Sequence, residues 1–285
     1  YLLGASSPIT GWLDFESLYL GFGQFESSDS DKLVSIYETD KYKEACDLAY
    51  ELRQKGLAKN ESGKTDDDIL RAGRAFCFIG RLKPGKADEY NAKFGNKDAE
   101  LAQVFFDEPT TKTADCVGSI MAIPRTSKNP ARVMKFLELL NTDEYVNNLV
   151  NFGIEGDGYT KNSDGTVHIN PNAAYRNTGT QWMMGNVFIN YISDAENPDK
   201  NKKFLEFNKI ARPSRFLGFS FDVEAVKNKA IAVSSVITEY EDQYKFGNVP
   251  ISKSYDEFMS KMKKAGADDV LAELQKQYDE WKKIK

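Results

Sequence analysis

Apolar residues recur along this chain with two periods, and polar, turn-forming stretches separate the segments that keep each one. Tyr42, Ala45, Cys46, Ala49 and Leu52 keep the three- and four-residue steps of one helix face, with Asp40 placed to cap its start and Gly56 to stop it. Asn129, with Pro130 behind it at the first helical position, opens a second helix whose inner stripe is Val133, Leu137 and Leu140. Asn141-Thr142-Asp143 breaks and re-caps that helix, and Tyr145, Leu149 and Val150 carry the stripe on to Gly153. Towards the C-terminus, Val226, Ala230, Val233, Ile237, Tyr240 and Tyr244 predict a long helix capped by Asp222 and stopped by Gly247. Ser254 with Glu257 predicts a capping box for the next helix, and Leu271, Leu274, Tyr278 and Trp281 line the last.

Shorter apolar runs read as strands: Ala75–Gly80, Leu101–Phe106, and Val117–Ile123 ended by Pro124. Ser163-Asp164-Gly165-Thr166 predicts a hairpin turn leading into Val167-His168-Ile169. Residues 59–68 are a polar loop, and 171–200 are loop-rich. In residues 1–30 the rings of Trp12, Phe15, Tyr19, Phe22 and Phe25 stand among Gly and Ser, which is not the pattern of one regular element. Strand-like segments separated by helices, followed by a helical tail, predict an α/β protein. No internal repeat or low-complexity segment is present.

Length and charge narrow the classes. At 285 residues the chain is long enough for two packed lobes. Its formal net charge of −5 is spread out, with no basic stripe for neutralising phosphates, so a nucleic-acid partner is not expected. An acidic surface also argues against docking on anionic lipid. No run approaches the roughly 20 apolar residues of a membrane span. The first residues carry neither an initiator Met nor a basic segment, so a processed or truncated chain is expected.

The inventory of reactive side chains argues against catalysis. His168 is the one histidine, which removes His-based zinc sites and His-based triads together. Cys46, Cys77 and Cys116 lie far apart without a CxxC, and are read as buried free thiols acting as small hydrophobes. Carboxylates are plentiful, but none sits in a glycosidase motif. Gly21-Phe22-Gly23 lacks the third glycine and following helix of a nucleotide fingerprint. Asp66-Asp67-Asp68 reads as a solvated helix start rather than a calcium loop. Neither metal nor cofactor is expected.

Several segments together resemble family 1 extracellular solute-binding proteins of bacterial ABC importers, in the Gram-positive lipoprotein branch with a DUF3502-type C-terminal region. The stretch Val117–Pro124, Ser127-Lys-Asn-Pro130, Ala131–Leu140 and Asn141-Thr-Asp143 resembles the strand–turn–helix of the superfamily. More particular to the branch are Asn151-Phe-Gly-Ile-Glu-Gly156 with Tyr159, Trp182-Met-Met-Gly-Asn186, and Gly218-Phe-Ser-Phe-Asp222. Ala265-Gly-Ala-Asp268 leading to Glu273, Gln275, Gln277 and Trp281 closes the match, which holds from about Leu33 onward and only loosely before it. The resemblance implies a periplasmic-binding-protein-like (type II) two-lobe fold with the N-terminal part of one lobe missing. It implies that residues 1–115 belong mostly to the second lobe, that 116–158 cross to the first, and that 159–285 return to the second.

The same resemblance implies capture of a small polar solute, most simply an oligosaccharide, without enzymatic turnover. The partners it implies are ABC permease subunits, for a monomeric protein held outside the cell by an N-terminal lipid that this chain does not contain. A peptide-like ligand, or a surface sensor or interaction role on the same fold, stays open as an alternative. A pyranose offers an apolar C–H face and a rim of hydroxyls, so rings and hydrogen-bonding groups in loops are the candidate contacts. Trp12 is either a ligand contact or a loop anchor. Trp182 is read first as a ring that plugs its own loop onto the lobe, with ligand contact beside Asn186 as the alternative. Gly153–Tyr159 is a hinge or a tight turn, from which Asp157 and Tyr159 face the cleft. Phe78 and Arg81 resemble a cleft-facing strand tip, and Arg215 and Phe219 precede the long helix in a similar way. Tyr240, Tyr244, Tyr278 and Trp281 are expected in the core instead.

Overall fold

The computed structural model describes residues 16–59, 64–80, 82–94, 100–106, 108–175 and 180–285. In chain order the elements are β1 (Phe22–Phe25), β2 (Leu33–Ser35), α1 (Asp40–Gln54), α2 (Asp66–Arg71), α3 (Lys86–Phe94), β3 (Thr110–Thr111), α4 (Thr113–Cys116), α5 (Pro130–Thr142), α6 (Glu144–Phe152), β4 (Tyr159–Lys161), β5 (Val167–Ile169), α7 (Lys200–Ile210), β6 (Arg212–Pro213), α8 (Lys227–Lys245), α9 (Tyr255–Ala265) and α10 (Ala267–Lys282). They fall into two units, Tyr1–Arg81 with Phe219–Lys285, and Leu82–Gly218. The segment 116–158 lies inside the second of these.

In the first unit, α8, α9 and α10 pack with α1 and with the antiparallel β1–β2 pair. The predicted stripe of α8 is the one buried: Ala230, Val233, Ile237, Tyr240 and Tyr244. Phe258 stands 5.2 Å from the Tyr240 ring, 5.4 Å from Tyr37 and 5.9 Å from Tyr244, centroid to centroid. Such tilted and edge-on ring pairs add to the gain from area burial alone. Two capping expectations fail here for the same reason, namely that a better partner is available. Thr39, not Asp40, caps α1 by accepting from the Tyr42 N–H at 3.2 Å. The Ser254 hydroxyl bonds the Tyr244 hydroxyl at 2.9 Å and makes no cap.

The glutamines of the last helix are backbone clasps. Gln275 accepts from the Leu33 N–H at 2.7 Å and donates to the Asp31 carbonyl at 3.1 Å. Gln277 accepts from the Asp222 N–H at 2.9 Å and donates to the Asp222 carbonyl at 2.8 Å. A carboxamide donates from one atom and accepts on another, which suits these residues to clasp non-helical chain. Asp222 in turn caps the turn before α8, accepting from the Glu224 N–H at 3.0 Å.

In the second unit, Asn129 caps α5 and Asp143 caps α6 as expected, accepting from Arg132 and Val146 N–H groups at 3.2 and 2.9 Å. The β4–β5 hairpin also forms where predicted. The three strand-like runs do not form strands. A strand needs a ladder partner along its length, and none of these runs enters one of the three two-stranded sheets of the described residues; Cys77 makes a single isolated bridge. Phe76, Phe106, Val117 and Ile120 accordingly stand exposed. The cysteine expectation holds for Cys46 alone. Cys77 is half-buried and Cys116 exposed. No helix among the described residues is long and apolar enough to cross a membrane.

Candidate functional site

α6 carries the largest departure from the apolar pattern. Tyr145 and Leu149, expected on the inner stripe, are exposed, and the buried face is Asn147, Asn148, Asn151 and Phe152. The reason lies in what faces the helix. Residues 181–191 form a loop with two single 3-10 turns, Gln181–Met183 and Val187–Ile189, whose carbonyls point at α6. A buried carbonyl without a donor costs roughly 1–3 kcal/mol, so the helix presents amides there rather than methyls.

The contacts run the length of the loop. Asn151 Nδ2 donates to the Met184 carbonyl at 3.1 Å, and Asn147 Nδ2 to the Asn186 carbonyl at 3.3 Å and the Leu140 carbonyl at 2.8 Å. Asn148 Nδ2 donates to the Ile189 carbonyl at 2.8 Å, while its Oδ1 accepts from the Tyr191 N–H at 2.7 Å. Gly185, at φ +89°, lies so close to α5 that a Cβ there would stand 2.4 Å from the Leu140 carbonyl oxygen. No side chain fits at that position. On the opposite edge of this loop Trp182 is 57% exposed. It therefore does not plug its loop onto the unit; the asparagines do that, and the indole is left available.

Asn186 is committed to its loop. Its Oδ1 accepts from the Phe188 N–H at 3.0 Å and its Nδ2 reaches the Asn141 carbonyl at 3.4 Å. Tyr159 is buried with Phe152 and Val167 in a small core, its ring 5.3 Å from Tyr191. Burial, with the Tyr191 hydroxyl beside it, holds its phenol above the ordinary value. Gly153–Tyr159 forms a tight turn. Its flanks Phe152 and Tyr159 share that core, and the Gly158 N–H donates to the Ile154 carbonyl at 2.7 Å. Asp157 is exposed on this turn.

Phe219 is buried in the first unit against Tyr278 and Trp281, at 5.9 and 5.6 Å, so its ring is used in packing. Phe78 and Arg215 are half-buried. Trp12 and Arg81 lie outside the described residues. His168 bonds Asp194, Nδ1 to Oδ2, at 2.8 Å on the surface. Among the described residues no group of three or more His, Cys, Asp or Glu is arranged to hold a metal ion.

Residues 215–283 match the model of a family described as a domain of unknown function, DUF3502. Over 274 residues the chain is 29% identical to a carbohydrate ABC transporter substrate-binding protein of Streptococcus pneumoniae serotype 4 (strain ATCC BAA-334 / TIGR4), covering 90% of this chain and 53% of that protein. The crystal structure of the N-glycan transport solute binding protein (NgtS) from Streptococcus pneumoniae superposes with a TM-score of 0.77 at 25% identity, covering 98% of this chain and 63% of that one. The same protein in complex with Man1GlcNAc gives the same score and identity, with 98% and 64% covered. The alginate-binding protein AlgQ2 without calcium ion shares the fold at a TM-score of 0.58 and 16% identity, covering 95% of this chain and 61% of its own.

The chain thus has the α/β fold of the type II, two-lobed solute-binding proteins, and it spans about half the length of the curated relative it matches. In class it is similar to family 1 extracellular solute-binding proteins of ABC importers. More particularly, its resemblance is to the branch whose C-terminal region is DUF3502.

Proposed function

We propose that this chain is part of the ligand-capturing component of an ABC importer, that it takes an oligosaccharide, and that it performs no chemistry on it. The observation that carries the reading is the exposed Trp182 ring on a loop fixed by buried asparagines, in a chain similar to a carbohydrate-importer component. An indole held still presents an apolar face to a pyranose C–H face at little ordering cost. Asp157, exposed, and Arg215, half-buried, supply acceptors and donors for hydroxyls, and Trp12, Phe78 and Arg81 belong to the same proposed set. Tyr159 and Phe219 are each buried in packing within their own unit and are left out of the contact set.

Ligand that touches both lobes of the full-length protein stabilises its closed form by its differential affinity for that form, which the permease subunits then receive. A monomer outside the cell, anchored by an N-terminal lipid, completes the reading. The test is thermal unfolding of the full-length protein with a panel of mannosyl-N-acetylglucosamine glycans, other oligosaccharides and peptides. A true ligand at about 100 times its Kd adds about 2.7 kcal/mol to stability. A rise in Tm with a saccharide supports the proposal. A rise with peptides alone moves it to a peptide-like ligand, and no rise with any saccharide sinks it.

A further inference from the structure

We infer that Asn147, Asn148 and Asn151 are positioning residues for ligand capture: they hold residues 184–191 against α6, and so fix the Trp182 ring two residues upstream of the first carbonyl that an asparagine meets. The inference deepens the proposed function and rests on it. Its evidence is independent of any ligand, since it lies in how the loop is held.

The apolar anchorage of the loop is at its far end, where the Tyr191 ring packs on Phe152 and Tyr159 at 5.9 and 5.3 Å. Val187, Phe188 and Ile189, which form its second 3-10 turn, include no buried residue, and neither does Gln181–Met183. Four of its backbone groups, the carbonyls of Met184, Asn186 and Ile189 and the N–H of Tyr191, are each met by one asparagine of α6, while Asn186 reaches the Asn141 carbonyl and Asn201 the Phe188 carbonyl, both at 3.4 Å. The three side chains are themselves 1% exposed or less. They are also linked, since Asn151 Nδ2 donates to the Asn147 carbonyl at 3.0 Å and its Oδ1 at 3.3 Å. The Met183 carbonyl is met separately by the Ser119 hydroxyl at 3.4 Å.

A carboxamide serves carbonyls and N–H alike. Aspartate lacks donors for the carbonyls and would bury a charge, and leucine would leave the carbonyls without partners. Of the three asparagines Asn151 meets the carbonyl nearest Trp182, and it acts beside the Ser119 hydroxyl on the Met183 carbonyl. Asn148 fixes the far end of the loop at two points.

The test uses full-length protein and compares Asn151→Ala, Asn148→Ala and Trp182→Ala, with the Trp182 signal taken as the difference from Trp182→Phe in the same variant. Four readouts apply: saccharide Kd by calorimetry, acrylamide quenching of Trp182, hydrogen exchange of residues 184–191, and the cooperativity of unfolding. For Asn151→Ala we expect cooperative unfolding, faster exchange at 184–186, stronger quenching and a Kd raised about tenfold, the scale of one lost buried hydrogen bond. Faster exchange with an unchanged Kd overturns the inference, because the loop would then be free of the ligand. Unchanged exchange and quenching overturn it too, because the loop would then be held by something else. If Asn148→Ala does not fold, Asn151→Ala decides alone. Trp182→Ala separates the two levels. A saccharide Kd unmoved by it removes the positioning role and leaves saccharide capture standing, whereas an intact protein that binds no saccharide removes the function while exchange still reads whether the asparagines hold the loop.

Discussion

Phe258, Tyr240, Tyr244 and Tyr37 close the unit of residues 1–81 and 219–285 with ring edges against ring faces, while the unit of 82–218 closes its 181–191 loop with carboxamides against backbone. Burial is as complete in both: Phe258 is 1% exposed, and Asn147 is 0%. The two differ in direction. Ring burial scales with area and tolerates small shifts, whereas each asparagine bond requires its partner near 3 Å and well aligned. An apolar core therefore gives stability, and a carboxamide seam gives one definite loop position. The seam lies beneath the loop that carries Trp182, where position matters most.

The largest effect that tests this contrast is Phe258→Ala. Truncating a fully buried Phe leaves a cavity among three aromatic neighbours and should cost about 3–5 kcal/mol, read as a fall in urea midpoint. The seam should respond by less. Asn148→Ala leaves the Ile189 carbonyl and the Tyr191 N–H without partners, at about 1–3 kcal/mol. Asn148→Asp should cost more than Asn148→Ala at neutral pH, since it keeps one acceptor but buries a charge. That excess should shrink as acid neutralises the new carboxyl, whose pKa burial raises. If the aspartate variant equals or exceeds wild type at neutral pH, the seam is not dry and the contrast fails.

Gly185→Ala probes the same seam by shape alone. The added methyl meets the Leu140 carbonyl oxygen, and the backbone lies in the left-handed region that costs an L-residue about 1–2 kcal/mol. Hydrogen exchange should rise across 184–191 while α8–α10 of the other unit keep wild-type protection. Equal loosening of both units would show that the seam is no separate element.

Much of the first unit was legible from spacing, because apolar stripes and burial coincide there: the α8 stripe predicted from Ala230 to Tyr244 is the buried one. The caps at Asn129 and Asp143 and the hairpin at Asp164-Gly165 were legible too, since each is decided within four residues of sequence. The face of α6 was not. Tyr145 and Leu149 fit an apolar stripe, and nothing local says that the neighbouring element will be a loop full of carbonyls. Three asparagines in one nine-residue helix were the available signal, being poor helix formers retained where backbone must be served. The strand-like runs failed for a related reason. Whether Leu101–Phe106 forms a strand depends on a partner that its own residues do not specify. Trp182 was recognisable as a candidate, but its exposure followed only from what held its loop.

The smallest effect separates two polar devices within the second unit. Asp164 accepts from the Thr166 N–H at 2.9 Å and from its hydroxyl at 2.7 Å, and these bonds hold its carboxyl below the ordinary carboxylate range. A folded-state pKa below the unfolded value contributes stability that is present above the unfolded pKa and is lost as pH falls through the folded one. The asparagine bonds of the seam involve no carboxylate and do not titrate as the pH falls. As pH falls through and below the ordinary carboxylate range, exchange at Thr166 and in β4–β5 should therefore rise relative to Tyr191, whose N–H is held by Asn148. Asp164→Asn should flatten this acid limb at the hairpin, because the amide oxygen still accepts but no longer titrates. Parallel acid loosening of Thr166 and Tyr191 in the wild type would mean that hairpin and seam open together. The loop carrying Trp182 would then share the pH dependence of Asp164, and the division between a charge-held turn and a carboxamide-held loop would not stand.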